Sequence, residues 1–281
     1  MTTNLTGATT HFLPFNRGAE DGGAGNPPSE HGSRTSYLWE RVLQRDAWLN
    51  ILGRFMYIKH ESHTDPISGK TTKTSTLRFP RFHQWEAVTK LTDGVIQDER
   101  DGSTFRRFLI QHSAGSGKTD SIAWTAHRMA RLQIDNTKVF DSVIVVTDRN
   151  VLDAQLQDAI KQIDNDQGIV VAIDRDAASK SGSSKSGLLA SALTEGKLVI
   201  VVTIQTFPFA MDEIRKNKGL KGKKFAVIAD EAHSSQSGQI AGKLKAVLTA
   251  EEIKDIEEGA EISTESILGA EANERAESQN I

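Results

Sequence analysis

Four short apolar runs punctuate the second half of the chain: residues 142–147 (SVIVVT), 168–173 (GIVVAI), 198–203 (LVIVVT) and 225–229 (FAVIA). Each has the length of a strand and lacks the apolar–polar alternation of a half-exposed one, so each reads as a strand buried on both faces. Residues 120–132 ahead of the first run, and 151–160 and 188–195 between later ones, carry helical spacing. Strands alternating with helices imply βαβ units, hence an α/β fold with a parallel sheet flanked by helices. A fifth apolar triplet, residues 108–110 (FLI), reads as a further buried strand running into a glycine loop and a helix. Upstream, residues 37–55 have a wide apolar helical face in which Trp39 and Trp48 read as core anchors. Residues 78–91 read as a helix opening near Pro80. Residues 1–36, dense in Gly, Pro and polar side chains, read as an irregular extension.

Composition narrows the class. The 281 residues suffice for one large α/β domain with extensions, and there is no cysteine to form a disulfide, a thiolate zinc site or a thiol nucleophile. No apolar run has the length of a membrane span, and the expectation is a cytoplasmic protein without a membrane partner. The net charge of −3 conceals an asymmetry: residues 251–281 hold ten acids and two bases, a balance of −8, which leaves +5 for residues 1–250. A mildly basic body is compatible with a polyanion. Within it, six cations between Arg215 and Lys224 suit a nucleic-acid backbone or a solvated connector equally well.

Chemistry concentrates where the strands end. After the 108–110 triplet comes His112-Ser113-Ala114-Gly115-Ser116-Gly117-Lys118-Thr119. Small residues let successive N–H groups curl round phosphate oxygens, and the helix opening at Lys118 adds a partial positive charge. In G-x-x-x-x-G-K-[ST], Lys118 reaches the β and γ phosphates of ATP and the Thr119 hydroxyl sits on Mg²⁺; His112 stands where the first Gly belongs. The 225–229 run ends in Asp230-Glu231-Ala232-His233. Asp230 can hold the metal, and Glu231 can orient or deprotonate the attacking water. Ligands of parallel sheets bind at the carboxyl ends of the strands, and the glycine loop, the 147–149 and 203–207 segments and Asp230-Glu231 are all expected there. Gln84 has the donor and acceptor to pair with an adenine edge, or is a plain polar helix residue.

Together the segments RFHQWEAV, QHSAGSGKTDSIAW, VIVVTDRNVLDAQL, SKSGSSKSGLLASAL, VVTIQTFPF and FAVIADEAHSSQSG resemble superfamily 2 helicase and translocase ATPases. The first motor lobe of the motor (R) subunit of type I restriction enzymes is the nearest in pattern, and that family often has His at the position of His112. The resemblance implies a RecA-like P-loop NTPase lobe in which Ala114, Gly115, Ser116 and Gly117 cradle phosphate and Gln84 recognises adenine. It implies that His233 couples nucleotide state to DNA, and that Arg149, Thr203, Gln205 and Thr206 line the DNA path. The implied activity is ATP-driven movement of double-stranded DNA, in a complex with methyltransferase and specificity subunits that cleaves foreign DNA.

The expected organisation is an irregular extension (1–36), a helical pre-motor segment (37–78), the first motor lobe (79–245) and an acidic tail (246–281) that begins an inter-motif insertion. Nothing before Phe79 resembles the family's nuclease domain, and nothing after the Asp-Glu-Ala-His box resembles its second motor lobe. The expectation is therefore a chain holding the first lobe only, which binds ATP weakly and hydrolyses it slowly or not at all alone. Other readings are a different superfamily 2 helicase, against which SKSGSSKSG and TIQTFPF argue, and a non-catalytic nucleotide-binding module.

Overall fold

The computed structural model describes residues 7–10, 15–19, 23, 25–29, 32–103, 105–113, 115–147, 150–163, 170–173, 177, 182, 184–204, 206–207 and 217–230. The chain divides into two compact units, residues 1–128 with 158–165, and residues 129–157 with 166–281.

The first unit is built around an aromatic cluster. A π-helical turn, Leu38–Val42, leads to α1 (Arg45–Arg54), the antiparallel strands β1 (Tyr57–Thr64) and β2 (Thr71–Arg78), α2 (Phe82–Arg100) and the start of α3 (Lys118–Ala130). Phe15, Tyr37, Val42, Ile51, Phe55, Tyr57, Phe82, Trp85, Val88 and Trp124 form its core. The Trp124 indole packs at 5.5 Å from the Phe55 ring, and its N–H donates to the Phe55 carbonyl at 2.9 Å. Phe15, from the stretch expected to be irregular, inserts edge-on against Phe79 and Phe82.

Three expectations are corrected here. Trp39 is 53% exposed instead of anchoring the core. The π turn, in which the Leu43 N–H reaches back to the Leu38 carbonyl, shifts the helical register so that Val42 faces inward. The 37–78 segment, expected to be helical with its helix read over residues 37–55, is a β-hairpin from Tyr57 onward, where a run of Thr side chains favours a pleated ribbon. Its turn is set by the Asp65 carboxylate, which accepts the N–H groups of Ile67 and Ser68, and by Gly69 at φ +67°. Finally, Phe108, Leu109 and Ile110 join no sheet and are 40%, 78% and 38% exposed. Asp98, buried on α2, holds the Arg106 backbone N–H and guanidinium. The Phe108 ring then lies against Gly94 and under the Arg106 guanidinium, which ties the segment to a helix.

The second unit holds the parallel sheet expected from the apolar runs. β5 (Ser142–Thr147), β6 (Val170–Ile173), β7 (Val199–Thr203) and β8 (Phe225–Ala229) are ordered β6-β7-β5-β8. All of β5 and β7 is buried, as strands covered on both faces must be. On one face Ile144, Ile200 and Val202 pack against Leu189 and Leu193 of α5 (Lys185–Thr194). Helix α4 (Asn150–Ile163) follows β5, and a small hairpin of β3 (Gln133–Ile134) and β4 (Thr137–Lys138) precedes it, with Asp135 and Asn136 both at positive φ. No helix among the described residues is long and apolar enough to cross a membrane. Within residues 179–187, positions 179–181 and 183 lie outside the described residues, and α5 begins at Lys185.

Because Ile144 is fully buried, Ile144→Ala is expected to cost about 2–5 kcal/mol in urea unfolding. Leu109→Ala, at a position that would be equally costly in a buried strand, is expected to stay within about 0.5 kcal/mol of the parent.

Candidate functional site

The glycine loop of the first unit turns sharply at two left-handed residues, Gly115 at φ +75° and Gly117 at φ +81°, before α3 opens at Lys118. Lys118, Thr119 and Asp120 form the first turn of that helix and are half-buried. The loop is braced from behind by the start of α2. The Gln84 amide, 3% exposed, donates to the carbonyls of Ser116 at 3.3 Å and Gly117 at 3.0 Å, while its Oε1 accepts the Arg81 N–H at 2.7 Å. Arg81 reaches the Gly115 carbonyl, and His83 Nε2 lies 2.9 Å from the Ser116 carbonyl.

This bracing fixes which way the peptides point. In a trans peptide the carbonyl of one residue and the N–H of the next project in opposite directions. With the Ser116 and Gly117 carbonyls held toward α2, the N–H groups of Gly117 and Lys118 are turned the other way, while the Ser116 N–H donates to the Ser113 carbonyl at 3.3 Å. Consecutive N–H groups at a helix N-terminus form an anion cradle. Two buried polar atoms beside it, Ser116 Oγ and His112 Nδ1, have no partner among the described residues. Buried polar atoms are normally satisfied, so the loop, its orphaned atoms, Lys118 and Thr119 fit a metal-bound polyphosphate.

The His112 ring packs edge-on 4.9 Å from His83. Burial, then the neighbouring His83 and Lys118, hold its pKa below the ordinary value. On the helix side, the Tyr57 hydroxyl donates to Asp120 Oδ1 at 3.1 Å. Burial and the adjacent carboxylate push that hydroxyl far up, so it remains a donor.

In the second unit the carboxyl edge of the sheet gathers Thr147, Thr203, Thr206 and Asp230. Thr147 and Thr203 are register partners at the ends of β5 and β7. The Ile204 N–H donates to the Thr147 carbonyl, and the Asp230 N–H to that of Val146, which places Asp230 beside the end of β5. Thr203 and Thr206 are 3% and 2% exposed, and their hydroxyls are 3.0 Å apart. Ala114, Arg149, Gln205, Glu231 and His233 lie outside the described residues. The loop with Lys118 belongs to the first unit and the edge with Asp230 to the second.

Arg81, His83 and Tyr57 were not singled out by sequence reasoning. The first two flank Gln84 at the opening of α2, and a search for polar residues within one turn of that helix start would have found them.

Residues 83–253 match a family model described as SWI2/SNF2 ATPase. Over 209 residues the chain is 29% identical to the type I restriction enzyme HindI endonuclease subunit of Haemophilus influenzae, covering 72% of this chain and 17% of that protein. It is 24% identical over 216 residues to the inferred endonuclease subunit of type I restriction enzyme MjaVIIIP from Methanocaldococcus jannaschii, covering 73% and 19%. The chain thus spans under a fifth of the length of these curated relatives.

A Cβ on Gly117 would meet Gln84 Nε2 at 2.5 Å, whereas one on Gly115 meets open space. Gly117→Ala is therefore expected to destabilise more than Gly115→Ala, with backbone strain of order 1–3 kcal/mol common to both. In a double-mutant cycle, Gln84→Ala is expected to recover part of the Gly117→Ala loss. For His112 the folded state favours the neutral ring, so its contribution is present above pH 6.5 and lost as pH falls below that value. Urea midpoints measured between pH 7.5 and pH 5 are expected to fall less steeply in His112→Gln than in the parent.

Proposed function

The chain belongs to the SWI2/SNF2 ATPase family, and on that premise we propose that it is the ATP-driven motor part of a type I restriction endonuclease R subunit, moving double-stranded DNA. The observation that carries this reading is the braced glycine loop, whose carbonyls are tied to α2 through Gln84, Arg81 and His83, so that the Gly117 and Lys118 N–H groups point away from α2. The similarity to two type I restriction endonuclease subunits, over most of this chain, supports the assignment to that system.

In the proposed mechanism the loop from Ala114 to Gly117 would hold the triphosphate. Lys118 would neutralise charge that builds on the transferring group, and Thr119 and Asp230 are each proposed as ligands of Mg²⁺, which would supply charge screening of the phosphates. Glu231 takes a proton from the attacking water or orients it. Gln84 carries the loop's shape, and its adenine contact is proposed alongside that role. His233 links nucleotide state to DNA, with Arg149 and Gln205 the proposed contacts to the polymer. The buried hydroxyls of Thr203 and Thr206 support a part in holding that segment's turn. The methyltransferase and specificity subunits and a second motor lobe are proposed partners, and the proposed setting is the cytoplasm.

Titration with a fluorescent ATP analogue tests the reading. Mg²⁺-dependent binding is expected, weakened at least about ten-fold by Lys118→Ala. Glu231→Gln is expected to bind like the parent while any turnover falls by about 10²-fold or more. Equal binding by the parent and Lys118→Ala would remove the phosphate-site assignment.

A further inference from the structure

The β1–β2 hairpin stands out in the first unit because almost none of it serves the core. Tyr57 is buried and Lys59 half-buried, but from His60 outward, and through all of β2, every residue is exposed. The ribbon is nonetheless well built. Eight residue pairs are in register, and the tip is fixed by the Asp65 carboxylate. Cross-strand side-chain bonds join His60 to Ser75 at 2.9 Å and Thr64 to Thr71 at 3.0 Å. An isolated two-stranded ribbon is marginal without packing, so so much order on so exposed an element needs a use.

Its charges indicate the partner. The ribbon has two acids, and both are engaged internally. Glu61 pairs with Lys59 at 2.6 Å, and Asp65 accepts the turn N–H groups. Both contacts hold the carboxyl pKa values below the ordinary range, so they stay ionised and spent on those partners. Lys70 at the turn and Lys73 on β2 have no ion-pair partner among the described residues. By strand alternation the face that carries Lys73 presents His60, Ser62, Thr64, Thr71 and Ser75 toward the tip, Ile58 and Leu77 at the root, and no carboxylate. Hydroxyls, imidazole and lysine without an acid are the side-chain set that contacts phosphate oxygens. A two-stranded ribbon also has the width that the major groove of B-form DNA admits.

We propose that the Tyr57–Arg78 hairpin is a second, sequence-independent contact to duplex DNA, with Lys70 and Lys73 on backbone phosphates. It rests on the duplex-moving reading above and adds a surface outside the Arg149 and Gln205 segments. The strand hydroxyls set the ribbon's register on the backbone, and the two lysines displace counterions.

Fluorescence anisotropy with a labelled random-sequence duplex of about 30 base pairs tests the proposal, using the full chain over a range of salt concentrations. Lys70→Ala/Lys73→Ala is expected to weaken binding on the order of ten-fold at low salt and to reduce the slope of log K against log salt by about 2. Lys70→Arg/Lys73→Arg is expected to restore both, and fluorescent nucleotide binding is expected to be unchanged in either variant. If the parent binds duplex and the alanine variant binds with the same affinity and slope, the ribbon contact is overturned while the motor reading stands, and the surface belongs to a protein partner. If the parent shows no duplex binding yet still binds nucleotide, the ribbon contact and the DNA part of the motor reading fall together.

Discussion

A single buried amide holds the glycine loop in shape. Gln84 uses its oxygen to close the first turn of α2 and its nitrogen to carry two loop carbonyls. Removing a buried amide of this kind would strand polar groups on both sides, which costs more than the bonds contribute net. The orientation of the loop's N–H groups follows from those carbonyl contacts and from peptide planarity. A cradle that needs two glycines in the left-handed region would otherwise be a floppy turn. The clasp is also why Gly117 has no room for a side chain.

The two units solve the burial problem with different side chains. The sheet is packed by Val and Ile on strands and Leu on α5, branched residues that suit a pleated surface covered on both faces. The first unit has few strand residues to bury and uses aromatic rings meeting edge to face, among them Tyr37 on Phe82 at 5.3 Å and Phe82 on Trp85 at 6.0 Å. Each large ring removes much area from water for little side-chain entropy, which suits a core assembled from short helices and loop residues such as Phe15. Trp124 places α3 within that core, so the helix that begins with Lys118 is seated by packing one and a half turns further on.

The sheet was legible because its strands are buried on both faces, where a continuous apolar run survives with little interference. β8 was bounded to the residue and β5 likewise, since turn-forming or charged residues flank both. The loop was legible because only glycine tolerates its dihedrals, which leaves a fixed spacing before Lys118. Periodicity failed where a local device overrode it. The π turn moved Trp39 outward, and the Arg106–Asp98 pair held Phe108 on α2, and neither leaves a periodic trace. The hairpin was missed because it has no hydrophobic face, so it carries no alternation to read. His83 went unassigned because its importance comes from a backbone carbonyl 33 residues away along the chain.

Tyr57 belongs to two structures at once: it is the first residue of β1, and its hydroxyl is bonded to Asp120, one residue beyond Thr119 on α3. The root of the ribbon and the mouth of the phosphate cradle therefore share a joint one side chain long. Reciprocity governs such a joint: a bound polymer that moves the root alters nucleotide affinity by the same factor by which nucleotide alters the polymer's. Burial and the Asp120 carboxylate keep the Tyr57 phenol protonated, so it goes on donating across that joint.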